Sequence, residues 1–194
     1  MPAPYPQLPF PRGTTFSQGA YTPTATDGSH LEGQMYVVPD ENNPGAEKVL
    51  RVVRAPAAGM IAARKVVAFS TVGTVASGYA NAVGKLGKPL DDAYDVGFAI
   101  PGNDLFYVVE SGTTTVEKES GALILKFVKC FSNATGGVAP TGGGWLIGLA
   151  LDNALAADLT VKVYVTPGFV EAAAESTTTT TTSTTTTTTT SPGG

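Results

Sequence analysis

Apolar and polar residues alternate in short runs through the middle of this chain, and glycine, proline and asparagine clusters separate the runs. A period of two with frequent turn residues predicts strands rather than helices. Gln34 to Val38 reads as a first strand, and Pro39 to Gly45 as a turn. Val49 to Arg54 reads as a second strand, followed by a turn over Ala55 to Gly59. A single helical turn or a plain turn is expected from Met60, leading into a strand over Lys65 to Phe69. Thr74 to Ala76 and Ala80 to Gly84 read as short strands. Val96 to Ile100, Asp104 to Glu110 and Ala122 to Phe131 follow as strands, with Ser111 to Thr115 as a turn and Ser132 to Gly144 as a loop. Trp145 to Ala150 and Leu159 to Val165 close the pattern; Val161, Val163 and Val165 alternate with Lys162 and Tyr164, the mark of a half-buried strand. The fold class expected is all-β, a small single-domain β-barrel or sandwich.

The pattern fails at both ends. Residues 1–33 carry prolines at 2, 4, 6, 9, 11 and 23, which forbid a helix and a central strand. Tyr5, Leu8, Phe10, Phe16 and Tyr21 are interleaved with them. An extended proline-rich segment with apolar side chains suits a groove on another protein, because little entropy remains to be lost. These five residues are therefore candidate contacts to another protein or a neighbouring subunit. At the other end Thr177 to Thr182 and Thr184 to Thr190 flank Ser183. A polar homopolymer cannot form a core. The division expected is an N-terminal arm over 1–33, a β-rich body over 34–170 and a Thr-rich C-terminal arm over 171–194.

Composition narrows the function. Charged residues are 14% of the chain and the formal net charge is -4. Scarce, unclustered Lys and Arg argue against nucleic acid as a partner. No apolar stretch reaches bilayer length, and the N-terminus has no secretory pattern, so a membrane partner is not expected and synthesis in a cytoplasm is. The one cysteine, Cys130, excludes an intrachain disulfide and reads as a buried small hydrophobe.

Two segments look alike: Gly87-Lys-Pro-Leu-Asp-Asp-Ala93 and Gly148-Leu-Ala-Leu-Asp-Asn-Ala154, each followed by a strand and Pro-Gly. In both, Leu would end a strand in the core and the next two residues would cap a turn. Leu90, Asp91, Asp92, Leu151, Asp152 and Asn153 are the turn residues of this expected repeat of strand, turn and strand.

The second of these segments, continued as Ile147-Gly-Leu-Ala-Leu-Asp-Asn-Ala-Leu-Ala-Ala-Asp-Leu-Thr-Val-Lys-Val-Tyr-Val165, is similar to the closing stretch of tailed-phage capsid decoration, or cement, proteins. Ala55-Pro-Ala-Ala-Gly-Met-Ile-Ala-Ala63 before a Val-Val strand resembles their early Ala/Gly-rich turn. The likeness runs loosely from Arg51 to Val165. It implies a non-enzymatic virion protein on the capsid exterior, often a homotrimer, with the major capsid protein and copies of itself as partners.

A search for chemistry agrees with that expectation. The one histidine, His30, lies in a turn-like stretch of the arm. No catalytic residue and no cofactor are expected, and no metal: the acid pairs Asp40-Glu41 and Asp91-Asp92, and Asp152 with Asp158, lack the spacing of a calcium loop. Gly142 to Gly144 is not followed by the Lys-Ser/Thr of a phosphate loop, and Asn133-Ala-Thr135 reads as an accidental glycosylation triplet. The alternative is a glycan-binding β-sandwich with a Thr-rich tail, an adhesin or carbohydrate-binding domain; it would need Trp145 as a sugar platform rather than a core residue.

Overall fold

A computed structural model describes residues 7–17, 31–61, 64–69, 76–79, 87–141 and 144–171. Among these the fold is all-β, as the alternation predicts. The main sheet has seven antiparallel strands: β1 (Met35–Pro39), β2 (Glu47–Arg54), β8 (Leu105–Glu117), β12 (Thr160–Glu171), β11 (Trp145–Ala150), β9 (Lys129–Ser132) and β10 (Val138–Ala139), in that spatial order. The sheet is open, with β1 and β10 at its ends, so the barrel form of the expectation is corrected. A sheet β5-β4-β6 (Ala76–Tyr79, Val66–Phe69, Gly87–Pro89) and a strand pair of β3 (Met60–Ile61) with β7 (Ala99–Ile100) complete it. The smaller sheet meets the large one through an antiparallel bridge of Leu90 with Val108.

β8 is the spine of the molecule. Leu105, Phe106, Tyr107, Val108 and Val109 are fully buried, because β2 and β12 flank the strand and other elements cover both its faces. The strand changes partner at Gly112: residues before it pair with β2, and residues from it onward pair with β12. Gly112 has a φ of 110°, and a Cβ there would lie 2.9 Å from the Lys48 Cα. Only glycine fits this close crossing. The Ser111 to Thr115 turn expected from sequence is therefore part of one long strand, just past a bulge between Val109 and Ser111.

Three further expectations change. Of the strand expected over Ala122 to Phe131, only the end enters β9; Ile124 makes a single bridge to Ala154, and a turn follows over Leu125 to Val128. Pro167-Gly168 does not end the last strand, which runs on through Glu171. The two look-alike segments are not equivalent. β11 and β12 form a hairpin, whereas β6 pairs with β4 and β7 pairs with β3. Thr74, the segment Ala80 to Gly84 and the Thr tract lie outside the described residues.

Candidate functional site

The described part of the proline-rich segment, residues 7–17, lies along the body as a strap. Phe10 is buried, stacked on Tyr107 with ring centroids 4.3 Å apart and on Phe16 at 5.8 Å. Phe16 and Leu105 exchange backbone hydrogen bonds of 3.0 Å. The Tyr107 hydroxyl donates to the Phe10 carbonyl at 2.9 Å, and the Tyr94 hydroxyl donates to the Thr14 carbonyl at 2.9 Å. Burial raises the pKa of both tyrosines, that of Tyr107 to about 12, so both remain neutral donors. Of the five arm residues, Leu8 packs on the core, Phe10 is part of it and Phe16 borders it. Tyr5, Tyr21 and His30 lie outside the described residues.

The strap is locked by charge. Arg12 donates from Nε and Nη2 to the two carboxylate oxygens of Asp91, both at 2.6 Å, and from Nη1 and Nη2 to Glu41 at 2.8 and 2.7 Å. Lys48, fully buried, donates to Asp92 at 2.9 Å and to Glu41 at 3.1 Å and stands 3.7 Å from Asp91. Asn42 donates to the second Asp92 oxygen at 2.6 Å. Asp40, beside them, accepts the Thr113 backbone N–H at 2.7 Å and so fixes the strand just past Gly112.

The titrations follow from this geometry. The hydrogen bond from Arg12 holds the Glu41 carboxyl well below the usual range, against the opposing effect of its own burial. Burial alone would lower the Lys48 pKa, but its bond to Asp92 and the charges of Asp91, Asp92 and Glu41 outweigh that and raise it. Asp92 is raised, because burial outweighs the help of Lys48. Three carboxylates face two cations, so each cation is shared between carboxylates. Glu41, Asp91 and Asp92 offer oxygens within 4.8 Å of one another, but both Asp91 oxygens already accept from Arg12. A cation at this point would have to displace a guanidinium.

These contacts correct the turn-cap reading of Asp91 and Asp92, whose carboxylates bind distant cations and Asn42 instead of their own turn. Leu90 is buried as expected. In the second segment Leu151 is half-buried, Asp152 accepts the Lys162 N–H at 3.3 Å, and Asn153 accepts the Lys126 N–H at 2.8 Å. Both acceptors clamp neighbouring chain segments. The sequence reading passed over Arg12 and Lys48. Arg12 is the first charged residue of the chain, with none other before Asp27. Lys48 shares the inward parity of Leu50 and Val52 on β2, and a cation at an inward position needs a carboxylate.

Away from the clasp, the face opposite the core carries large apolar side chains. The Ile124–Ala154 bridge buries those two residues, so their neighbours point outward. Leu123, Leu125, Phe127 and Leu155 are each more than half exposed, and Leu149 and its β12 partner Tyr164 are also exposed. A cleft of about 650 Å³ lies beside the end of β8, lined by Arg64, Glu117, Glu119, Asn133, Thr135 and Leu159 among others. Trp145 is half-buried with its indole nitrogen turned from solvent. Cys130 is buried, and that burial pushes its thiol up to about 12, as an inert core residue requires.

No family model matches the sequence, and no curated protein does. Among solved structures, one similar chain is the N base of the head fiber in bacteriophage phi29, at 17% identity and a TM-score of 0.38, covering 61% of this chain and 94% of that one.

Proposed function

We propose that this chain is a structural protein of a tailed-phage virion, seated on the outside of the icosahedral shell, where it bridges neighbouring capsomers through contacts with the major capsid protein. The observation that carries the reading is the clasp. The charged side chains gathered there, Arg12, Glu41, Lys48, Asp91 and Asp92, are engaged with one another in fastening a strap to a sheet. What the molecule offers instead is surface, a sheet face bearing large apolar side chains. The decoration-protein-like stretch from Ile147 to Val165 maps onto the β11–β12 hairpin, next to the spine strand. Residues 1–6 and 172–194 lie beyond the fastened elements in sequence, so contacts made by them leave the clasp untouched. Several weak contacts to adjacent capsomers add up to durable attachment, since each one after the first is intramolecular.

Pelleting with purified shells tests the proposal. The full chain is expected to sediment with shells and to saturate at a fixed number of copies per capsomer. A chain lacking residues 1–6 and 172–194 is expected to keep its melting temperature and to bind more weakly. Failure of the full chain to sediment with shells rejects the reading.

A further inference from the structure

We infer that the outward ledge formed by Leu123, Leu125, Phe127 and Leu155, continued by Leu149 and Tyr164, is where another copy of this chain docks. This is independent of attachment to a shell and holds for the isolated protein.

The register makes the ledge continuous. Ile124 and Ala154 exchange backbone hydrogen bonds of 3.0 and 2.8 Å. An antiparallel bridge at that pair puts Leu123 across from Leu155 and Leu125 across from Asn153, on the side away from the core. Phe127 follows at the turn, where its N–H donates to the Ala150 carbonyl, and β11 carries Leu149 outward beside Tyr164. The exposed parts of these six side chains amount to on the order of 500 Å², the size of the largest patch on an ordinary monomer. With a polar rim added, that approaches the roughly 800 Å² per partner of a stable interface.

Phe127 strengthens the case. Its φ is 67°, a conformation that residues other than glycine, asparagine and aspartate adopt at a cost, and the residue is 68% exposed. Within the chain the Lys126 ammonium lies over the ring, 5.0 Å from its centroid. A strained backbone that holds an aromatic ring out in water gains little for the monomer. It gains much if a partner covers the ring.

Charge identifies the partner. The 124–129 segment carries Lys126 and Lys129, and the paired 152–158 segment carries Asp152 and Asp158, all exposed. The apolar centre is thus flanked by one basic and one acidic segment. A second copy brings the same two segments, and a symmetric arrangement sets the basic segment of one copy against the acidic segment of the next. A partner of one sign would meet repulsion on one flank.

Sedimentation equilibrium of the full chain, without shells, tests the inference. The wild type is expected to form a closed oligomer at roughly 100 µM, well above a micromolar Kd. Phe127→Asn suits the backbone at this position, so it is expected to keep the fold by circular dichroism and to sediment as a monomer. Lys129→Glu is expected to weaken association at least tenfold, and mixing it with Asp152→Lys is expected to restore a mixed oligomer. A monomeric wild type at that concentration overturns the inference, as does a Phe127→Asn protein that keeps the wild-type mass or a mixture that fails to associate. Because no shell is present, none of these results bears on capsid attachment.

Discussion

Arg12 and Asp91, 79 positions apart in sequence, are joined by two hydrogen bonds of 2.6 Å, and the Asp91 side chain is fully buried. That pair turns a proline-rich segment into part of the folded body. Arg12→Gln leaves the Asp91 charge without its bidentate partner in a dry site. Breaking one side of a buried pair costs about 3 kcal/mol. Chemical denaturation is expected to show a loss of that size, and limited proteolysis is expected to cut within residues 7–17 first. A variant as stable as the wild type would show that the clasp is idle.

Phe10 joins the core from the strap. Phe10→Ala removes the ring stacked on Tyr107 and is expected to cost about 3 kcal/mol. Deletion of residues 1–17 is expected to destabilise the body at least as much, while deletion of residues 1–6 leaves every described contact in place. Thermal unfolding of the three proteins separates a strap that belongs to the body from an arm held in reserve for a partner. Equal melting temperatures for all three would favour the arm.

Acid sensitivity follows from Glu41. Its carboxyl is held below its ordinary value of 4.5 by Arg12, so its stabilising contribution is complete above that value and is lost as pH falls through the range beneath it. Asp92 acts in the opposite direction. Its raised pKa means that protonation relieves a buried charge, and stability is regained as pH falls toward its ordinary 3.8. Comparison of wild type with Glu41→Gln isolates the first effect. The urea midpoint of the wild type is expected to fall more steeply below pH 4.5 than that of the variant. Parallel curves would contradict the assignment.

Gly148 lies where β11 meets β12 at a register shift, and a Cβ there would stand 1.9 Å from the Tyr164 carbonyl oxygen. Since the obstacle is backbone, Gly148→Ala must push the hairpin apart. A loss of about 3 kcal/mol is expected from denaturant titration. A neutral result would mean that β11 and β12 are not in this register.

Much of the fold was legible because alternation reports directly on half-buried strands: β1, β2, β4, β11 and β12 stand where Tyr36, Val52, Val67, Ile147 and Val163 suggest. The errors share a cause. Gly112 resembles a turn residue, yet it lies inside β8 where the strand changes partner and the approach of Lys48 leaves no room for a Cβ. Asp91 and Asp92 resemble a local cap, yet their partners arrive from residues 12, 42 and 48. Ile124 and Leu125 look like the inside of a strand, but their pairing is limited to one bridge with Ala154. Local pattern shows which residues can turn or alternate. It does not show which distant chain segment meets them. The ledge was hidden for the same reason, since Leu123 and Leu155 become neighbours only through that bridge.

The central claim is attachment to the outside of a phage shell, and cryo-electron microscopy of shells with and without the added chain tests it most directly. The account predicts added density on the outer surface between capsomers, at regular positions and of a size to hold the seven-stranded body. Shells whose outer surface is identical with and without the chain, at concentrations that saturate pelleting of a known decorator, would contradict it.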